Sequence, residues 1–514
     1  MSRKLTMLIG IPGSGKSTLR ESIKDENTMV LSFDDIKEEL FAPGGPYEDI
    51  GYENNGDYEK SGWKHPELIE KRRNELIKEI KESDKNLIID TTALTPKKRA
   101  QYFKWFKGCF DEIDAVFVNT SLAKSLERNM ARDRIVPQDV IVRMATDLIL
   151  PSKKESFNQV YEYDTDTKTM QKFNDPSKKI VYVDMDGVVA DFNAGCKKNG
   201  VVPPKDKKLM GEFWERLSQE DHFYKSLPPI EEGIKMVKGL IQKGYDVKFL
   251  TGVPRSGKIG KEAALDKVEW AKEIFGDKVE VIPTYKVNKP MYCVGKNTIL
   301  IDDTKKNVEA WREAGGTALH FSGQDLTFSI ETALKDKKFY GYDAICFDKQ
   351  DIENLLKEKN LESGVLDKLP ESYHLTIQFH GRKKPSSEQL QSLSEIYGKP
   401  VEVKILGYAN DGKNEGFLCE GHQKDGRPFH ITLSISEDGK AVDTGHIFPI
   451  DKDGNIIESS NENFQMFDEP VVIQGVCLNS QDPRAKQFSL SNEDLVRRQD
   501  VGEEIQETPD IGTT

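Results

Sequence analysis

Three sets of residues in this chain are spaced for phosphorus chemistry. The first is Gly10-Ile-Pro-Gly13-Ser14-Gly15-Lys16-Ser17-Thr18, a GxxxxGK[ST] pattern between an apolar run and a helical one. Its glycines let backbone N–H groups turn toward phosphate oxygens, and a helix beginning there adds a favourable dipole. In this pattern Lys16 reaches the β- and γ-phosphates of ATP (or another nucleoside triphosphate), and the Ser17 hydroxyl reaches Mg2+. The second set is Asp184-Met-Asp186-Gly187, directly after the apolar run IVYV. Carboxylates at i, i+2 beyond a strand end can face one crevice once the strand breaks into a loop. One can attack phosphorus while the other protonates the leaving oxygen, with a divalent cation offsetting the charge. Asp302-Asp303 ends another apolar run and completes an oxygen donor set for Mg2+ with Asp184 and Asp186. Thr251 ends a third run, placed for the phosphoryl group, and a lysine is needed nearby to pair with the nucleophile. The third set is His374-Leu-Thr376 and His430-Ile-Thr432. Residues i and i+2 of a strand share a side, so each histidine and its threonine lie on one surface. If the two strands meet, one imidazole serves as base and the other as acid in metal-free, in-line attack on a phosphodiester.

These residues need elements to hold them. Up to about residue 172, strand-like LTMLIG, NLIID and DAVFVN alternate with helical runs such as ELIEKRRNELIKEIKES (67–83). This predicts a parallel sheet covered on both faces. MVLSFDDIKEEL (29–40) reads as a strand that ends at Asp34-Asp35, putting a carboxylate near the phosphate loop to take a proton from an attacking hydroxyl. Arg128 and Arg132, at i, i+4, fall on one face of a predicted helix, while Asp90 and Thr92 end another strand. A polar join (164–179) leads into a second alternating block, with strands IVYV, YDVKFLTG and NTILIDD around the helical ALDKVEWAKEIFG (264–276). From about 345 short strands with turns predict an antiparallel α+β domain. The expected domains are 1–172, 178–345 and 346–484, followed by a disordered acidic tail, 485–514.

The chain's 514 residues suit about three domains at roughly 150 residues each. A net charge of −13 excludes a uniformly basic nucleic-acid coat but not a local basic groove. Neither a signal peptide nor a run of roughly 18 apolar residues is present, so no membrane role is expected. Six cysteines without a CxxC pair read as free thiols of a cytoplasmic protein. KKRAQYFKWFK (97–107) mixes cations with aromatics, which suits phosphate contact and base stacking, and equally a solvated amphipathic helix.

The first block resembles the phage-type polynucleotide kinases, through GIPGSGKST, FDD (33–35), IIDTTALTPKKR (88–99) and LERNMARDR (126–134) in that family's order. The resemblance implies Asp34 as general base toward a polynucleotide 5′-OH, with Arg128 and Arg132 in a lid over the ATP phosphates. Phe33 and Lys37 stand where the family usually carries arginines. The second block is similar to haloacid-dehalogenase-like phosphatases, nearest the deoxyribonucleotidase branch, through DMDGVVADF, LTGVP and ILIDDTKKNVEAWREAGG. That implies a Rossmannoid domain with Asp184 as nucleophile, Asp186 as acid/base, Thr251 as phosphate ligand and Asp302 and Asp303 at Mg2+. The lysine of this family is Lys289, which fits better, or Lys286. HLTI and HITL resemble the two-histidine phosphoesterases, which include the cyclic phosphodiesterase domain of fungal-type tRNA ligases. His380, His422 and His446 lie outside that pattern.

Taken together, the expectation is a multidomain enzyme: two α/β domains, then an α+β two-histidine domain. It would phosphorylate 5′-OH ends, open 2′,3′-cyclic phosphates and remove the terminal phosphate, so that RNA breaks can be sealed. No KxDG-type nucleotidyl lysine is present, so the expected partners are RNA ends (tRNA among them) and a separate ligase, with self-association left open. The expected location is the cytoplasm, that of the host cell if phage-encoded. Three alternatives stay open: a third domain that cleaves cyclic oligonucleotide signals, a middle domain that hydrolyses nucleoside monophosphates in salvage, and an ATP-gated RNA-binding scaffold.

Overall fold

A computed structural model of the chain describes residues 2–490 except 133–134, 174, 256, 362–365, 452–454 and 458–462. The chain divides into two compact units, one up to Thr327 and one from Phe328 onward. The first holds two sheets. In one, the order is β2 (Thr28–Ser32), β3 (Asn86–Asp90), β1 (Lys4–Ile9), β4 (Glu112–Asn119), β5 (Gln159–Asp164) and β6 (Thr169–Lys172). All neighbours are parallel except the β5–β6 edge hairpin. Leu5, Met7, Leu8 and Ile9 are all fully buried, as a strand covered on both faces requires. Register places Leu8 and Ser32 beside Asp90, so the loop after β1 and the ends of β2 and β3 open at one edge.

The second sheet is wholly parallel, in the order β11 (Thr317–His320), β10 (Thr298–Asp302), β7 (Ile180–Val183), β8 (Asp246–Gly252), β9 (Glu280–Thr284). Asp184 leaves the central strand, with Thr251 on one neighbour and Asp302 on the other. Ligand sites lie at such carboxyl ends.

Two local expectations are corrected. The strand at 29–40 stops at Ser32, and Asp34 and Asp35 open the helix Phe33–Phe41 instead. Ser32 caps that helix, accepting the Asp35 N–H, and acidic residues favour a first turn. Arg132 is not on the helix of Arg128, which ends at Met130. The Asn129 side chain exchanges two hydrogen bonds with the Val136 backbone (2.8 and 3.0 Å), folding the chain back.

The second unit begins earlier than residue 346. β12 (Gly341–Cys346) belongs to a closed barrel, continuing through β13 (His374–Gly381), β16 (Pro428–Ile435), β15 (Asn414–His422), β14 (Pro400–Asn410) and β17 (Gln465–Asn479) back to β12. The antiparallel pairing is as the sequence predicts, but closure is not: β17 bonds β14 along most of its length and β12 at its end. Register shifts between several strand pairs add the twist that closure needs. Tyr373, Leu375, Ile405, Phe417, Ile431 and Leu433 fill the core. Residues 485–490 are not tail: Pro483–Phe488 forms a 3-10 turn and the Leu490 N–H donates to Glu371 O at 2.8 Å. Residues 491–514 of the expected tail lie outside the described residues. Among the described residues no helix is long and apolar enough to cross a membrane.

Candidate active sites

The loop after β1 is built for close backbone approach. Gly13 and Gly15 have φ of 78° and 96°, and a Cβ on Gly13 would stand 2.3 Å from Ser125 O. The helix Lys16–Ile23 starts at Gly15, placing Ser17 and Thr18 in its first turn. Lys16 folds back to donate to Ile11 O (2.9 Å), and burial lowers its ammonium to about 8 against the pull of Asp90 and Asp34. Ser17 Oγ donates to Asp90 Oδ2 at 3.3 Å. Hydroxyl and carboxylate oxygens together suit Mg2+. The Asp34-Asp35 pair divides its work: Arg20 Nη1 holds both Asp35 oxygens at 3.0 and 2.9 Å, while Asp34, the more exposed of the two, lies 3.6 Å from Lys37 Nζ. Arg128 Nη1 reaches Thr165 Oγ1 (3.0 Å) and Ser14 O (3.4 Å), over the loop. Arg132 is exposed beyond the helix end, and its charge is felt at Lys16. Of the basic run 97–107, Arg99 is fully buried on Glu155 and two carbonyls, and Tyr102 is also buried, so neither offers itself to a ligand.

The second crevice is a set of buried charges. Lys289 Nζ lies 2.8 Å from Asp184 Oδ2 and 2.7 Å from Asp302 Oδ2, and all three are buried. Lys289 is therefore the lysine on Asp184; Lys286 contributes a more distant charge. Burial alone would raise Asp184, but Lys289 and Lys267 overturn this and hold it below the usual carboxylate range. Asp303 goes the other way, raised to about 6 by burial and by Asp184 and Asp302. Oxygens of Asp184, Asp302 and Asp303 lie within 4.8 Å of one another. Three hard donors fit Mg2+, and Gly187 (φ 79°) makes room, since a Cβ there would stand 2.3 Å from Asp303 Oδ2. The Asp186 carboxylate is outside this group: its Oδ2 accepts from Lys267 Nζ at 2.7 Å. Lys267 also donates to Thr251 Oγ1 (2.8 Å) and Gly252 O (2.9 Å). Sequence reasoning did not find Lys267. The signal was present, because Ala263, Ala264, Trp270 and Ala271 share its helical stripe and all are buried.

On the barrel, Leu375 of β13 pairs with Ile431 of β16. In antiparallel register this sets His374 opposite Thr432 and Thr376 opposite His430. Leu375 and Ile431 point into the core, so the four expected residues share the outer face. Each imidazole is fixed alike: Nδ1 of His374 donates to Ser372 O and Nδ1 of His430 to Pro428 O, both at 3.0 Å. A carbonyl only accepts, so the lone pair of each neutral ring resides on Nε2. Burial lowers both histidines below their ordinary value, outweighing those carbonyls. Tyr342 stacks on His374 (5.0 Å, 23°), a neighbour no sequence pattern marked. Thr432 Oγ1 donates to Thr444 Oγ1 at 3.0 Å. His380 is occupied with Asp343 (2.6 Å) and His422 with Asp451 O (3.1 Å).

Residues 5–149 match a family model described as an AAA domain. The N-terminal lobe is a P-loop domain of the kinase type. The L-seryl-tRNA(Sec) kinase of Methanococcus maripaludis is 26% identical over 239 residues, 41% of this chain and 86% of its own length. A structure from the PezAT chromosomal toxin–antitoxin system of Streptococcus pneumoniae is 16% identical, covering 33% of this chain and 71% of its own (TM-score 0.26). A chain of the Pnkp1/Rnl/Hen1 complex is 16% identical, covering 62% and 96% (TM-score 0.20). A gluconokinase from Sinorhizobium meliloti is 19% identical, covering 31% and 82% (TM-score 0.21).

Proposed function

We propose that this chain heals both ends of a broken RNA. The observation that carries the reading is the shared face of His374, Thr376, His430 and Thr432, on the same chain as a kinase-type P-loop and a paired-aspartate crevice. In the first lobe, Asp34 takes the proton of a 5′-hydroxyl as its oxygen attacks the γ-phosphoryl group. Lys16 and the backbone of Gly13–Gly15 bear the charge, with Arg128 and Arg132 closing over it. Ser17 and Asp90 would hold a Mg2+ ion, which when bound offsets phosphate charge. The acceptor is RNA-borne in this reading; one relative of the chain is named for a kinase of seryl-tRNA.

On the barrel, one imidazole Nε2 takes a proton from water as it attacks the cyclic phosphate. The other, protonated, gives its proton to the departing ribose oxygen, while Thr376 and Thr432 hold phosphate oxygens. The terminal monoester then goes to the crevice. Asp184 attacks phosphorus, Asp186 protonates the leaving ribose oxygen, and Asp186 next deprotonates the water that releases phosphate. Asp184, Asp302 and Asp303 would hold Mg2+, which shields the nucleophile from its dianionic target.

Product mapping on a short RNA with a 5′-OH and a 2′,3′-cyclic phosphate, given ATP and Mg2+, tests this. The expected product carries a 5′-phosphate and a 2′,3′-diol. Lys16→Ala should lose only the 5′ step, Asp184→Asn should stop at the monoester, and His374→Ala with His430→Ala should keep the cycle closed. A cycle still opened by the double-histidine variant would remove the barrel from end healing, and cyclic oligonucleotides would be its next substrates. Unchanged ends in the wild type would sink the reading.

A further inference from the structure

The crevice contains two buried lysines where its chemistry, as read above, asks for one. Lys289 serves Asp184 and Asp302. Lys267 is equally buried, with its side chain 1% exposed, and pairs with Asp186 at 2.7 Å. An ammonium has three N–H donors and no lone pair. Those of Lys267 meet three acceptors: Asp186 Oδ2 at 2.7 Å, Thr251 Oγ1 at 2.8 Å and Gly252 O at 2.9 Å. The Tyr224 ring lies against the same nitrogen, 4.6 Å from its centroid.

This geometry has two consequences. Thr251 Oγ1 accepts from Lys267, so its own O–H proton is directed to another acceptor, which for a phosphate ligand is a phosphoryl oxygen. Asp186 has one oxygen held by Lys267, while the other, Oδ1, is buried without a hydrogen-bond partner among the described residues. The carboxyl group is thus fixed by one oxygen with bonding capacity left at the other. A buried ammonium is costly, and the apolar stripe of its helix would accept a methionine or leucine more cheaply. Its position is explained by what it touches.

We propose that Lys267 is a positioning residue that sets the proton donor Asp186 and the phosphate ligand Thr251 together, leaving Asp184 to Lys289. The inference rests on the phosphatase reading of this crevice. In the step concerned, the Asp184 oxygen–phosphorus bond forms as the phosphorus–oxygen bond to the leaving group breaks. The Asp186 proton goes to the departing oxygen. A water later returns a proton to Asp186 and its hydroxyl to phosphorus, releasing inorganic phosphate.

The test uses leaving groups that differ in their need for that proton. p-Nitrophenyl phosphate departs as a stable phenolate, whereas a 3′-phosphorylated oligonucleotide must leave as an alkoxide unless protonated. In the full chain, Lys267→Met should lower turnover of the oligonucleotide by roughly 10²-fold, the scale of a lost general acid, and of the aryl ester by less than about 10-fold. Adding it to Asp186→Asn should cause no further selective loss, because the two act as one unit. The rise in melting temperature given by inorganic phosphate should also shrink, reporting the Thr251 hydroxyl independently of turnover. Lys267→Gln, which keeps two N–H donors without the charge, serves if the methionine variant does not fold. Equal losses on both esters, or no loss on either, would overturn the proposal while leaving the phosphatase reading intact. A wild type that cleaves neither ester overturns the phosphatase reading, and this inference with it.

Discussion

The crevice around Asp184 and the face around His374 are both read as phosphorus chemistry, yet they hold their reactive groups by opposite means. In the crevice, ionisable groups are buried as lysine–carboxylate pairs: Lys289 against Asp184 and Asp302, Lys267 against Asp186. On the barrel, the groups are imidazoles whose burial disfavours the cation, each aimed by one backbone carbonyl. A buried ion pair is destroyed by removing one partner, because the other charge stays behind. A neutral ring hung on a carbonyl leaves no such orphan. Reactivity and stability should therefore be tied together in the first region and separable in the second.

The largest effect expected is from Lys289→Met, which strands Asp184 and Asp302 without their shared counter-ion. A loss of about 3–5 kcal/mol is expected, read as a lower denaturation midpoint in urea, together with loss of phosphatase activity. A midpoint shift worth less than about 1 kcal/mol would break the comparison. Next, His374→Ala or His430→Ala should cost roughly 10²–10⁴-fold in cyclic-phosphate opening. The same variants should move stability by no more than about 1 kcal/mol, the scale of one hydrogen bond.

pH sharpens the contrast further. Burial lowers both histidines from 6.5, so the protonated acid form fades as pH rises through a value below that. Cyclic-phosphate opening should have its optimum on the acid side of 6.5 and decline toward neutrality. Asp184, held low by Lys289 and Lys267 against the effect of burial, stays ionised across the same interval, so the phosphatase nucleophile does not titrate with the histidines. The smallest effect belongs to the P-loop. Burial brings Lys16 to about 8, and triphosphate would restore its charge. Calorimetry in buffers of different ionisation enthalpy should find proton uptake on ATP binding near pH 8 and little near pH 6.5. Uptake that does not change with pH would remove Lys16 as its source.

Much of this was legible because short-range chemistry carries it. Glycines at 13 and 15, Lys16 and Ser17 announce a phosphate loop, since glycine takes positive φ without the steric cost of a Cβ. The apolar runs before Asp184 and Asp302 announce buried parallel strands, and a strand end must present its next residues to a crevice. Doubled HxT, with alternating apolar neighbours, announces two strands whose histidines face away from a core. The helix start at Phe33 was also written in the sequence, as a serine followed by two acidic residues, although reading the aspartates as a strand end missed it.

Tertiary structure decided the rest, for one physical reason: those features depend on partners far along the chain. Lys267 looks like any helical lysine until its stripe is seen to be buried and its nitrogen meets Asp186, 81 positions away. The choice of Lys289 over Lys286 depends on which ammonium reaches Asp184 and Asp302 at once. Closure of the barrel depends on β17 pairing with β12, more than a hundred residues earlier, a contact no local pattern encodes. The sequence by itself determined which groups were available for chemistry; only the fold decided which charge would neutralise which.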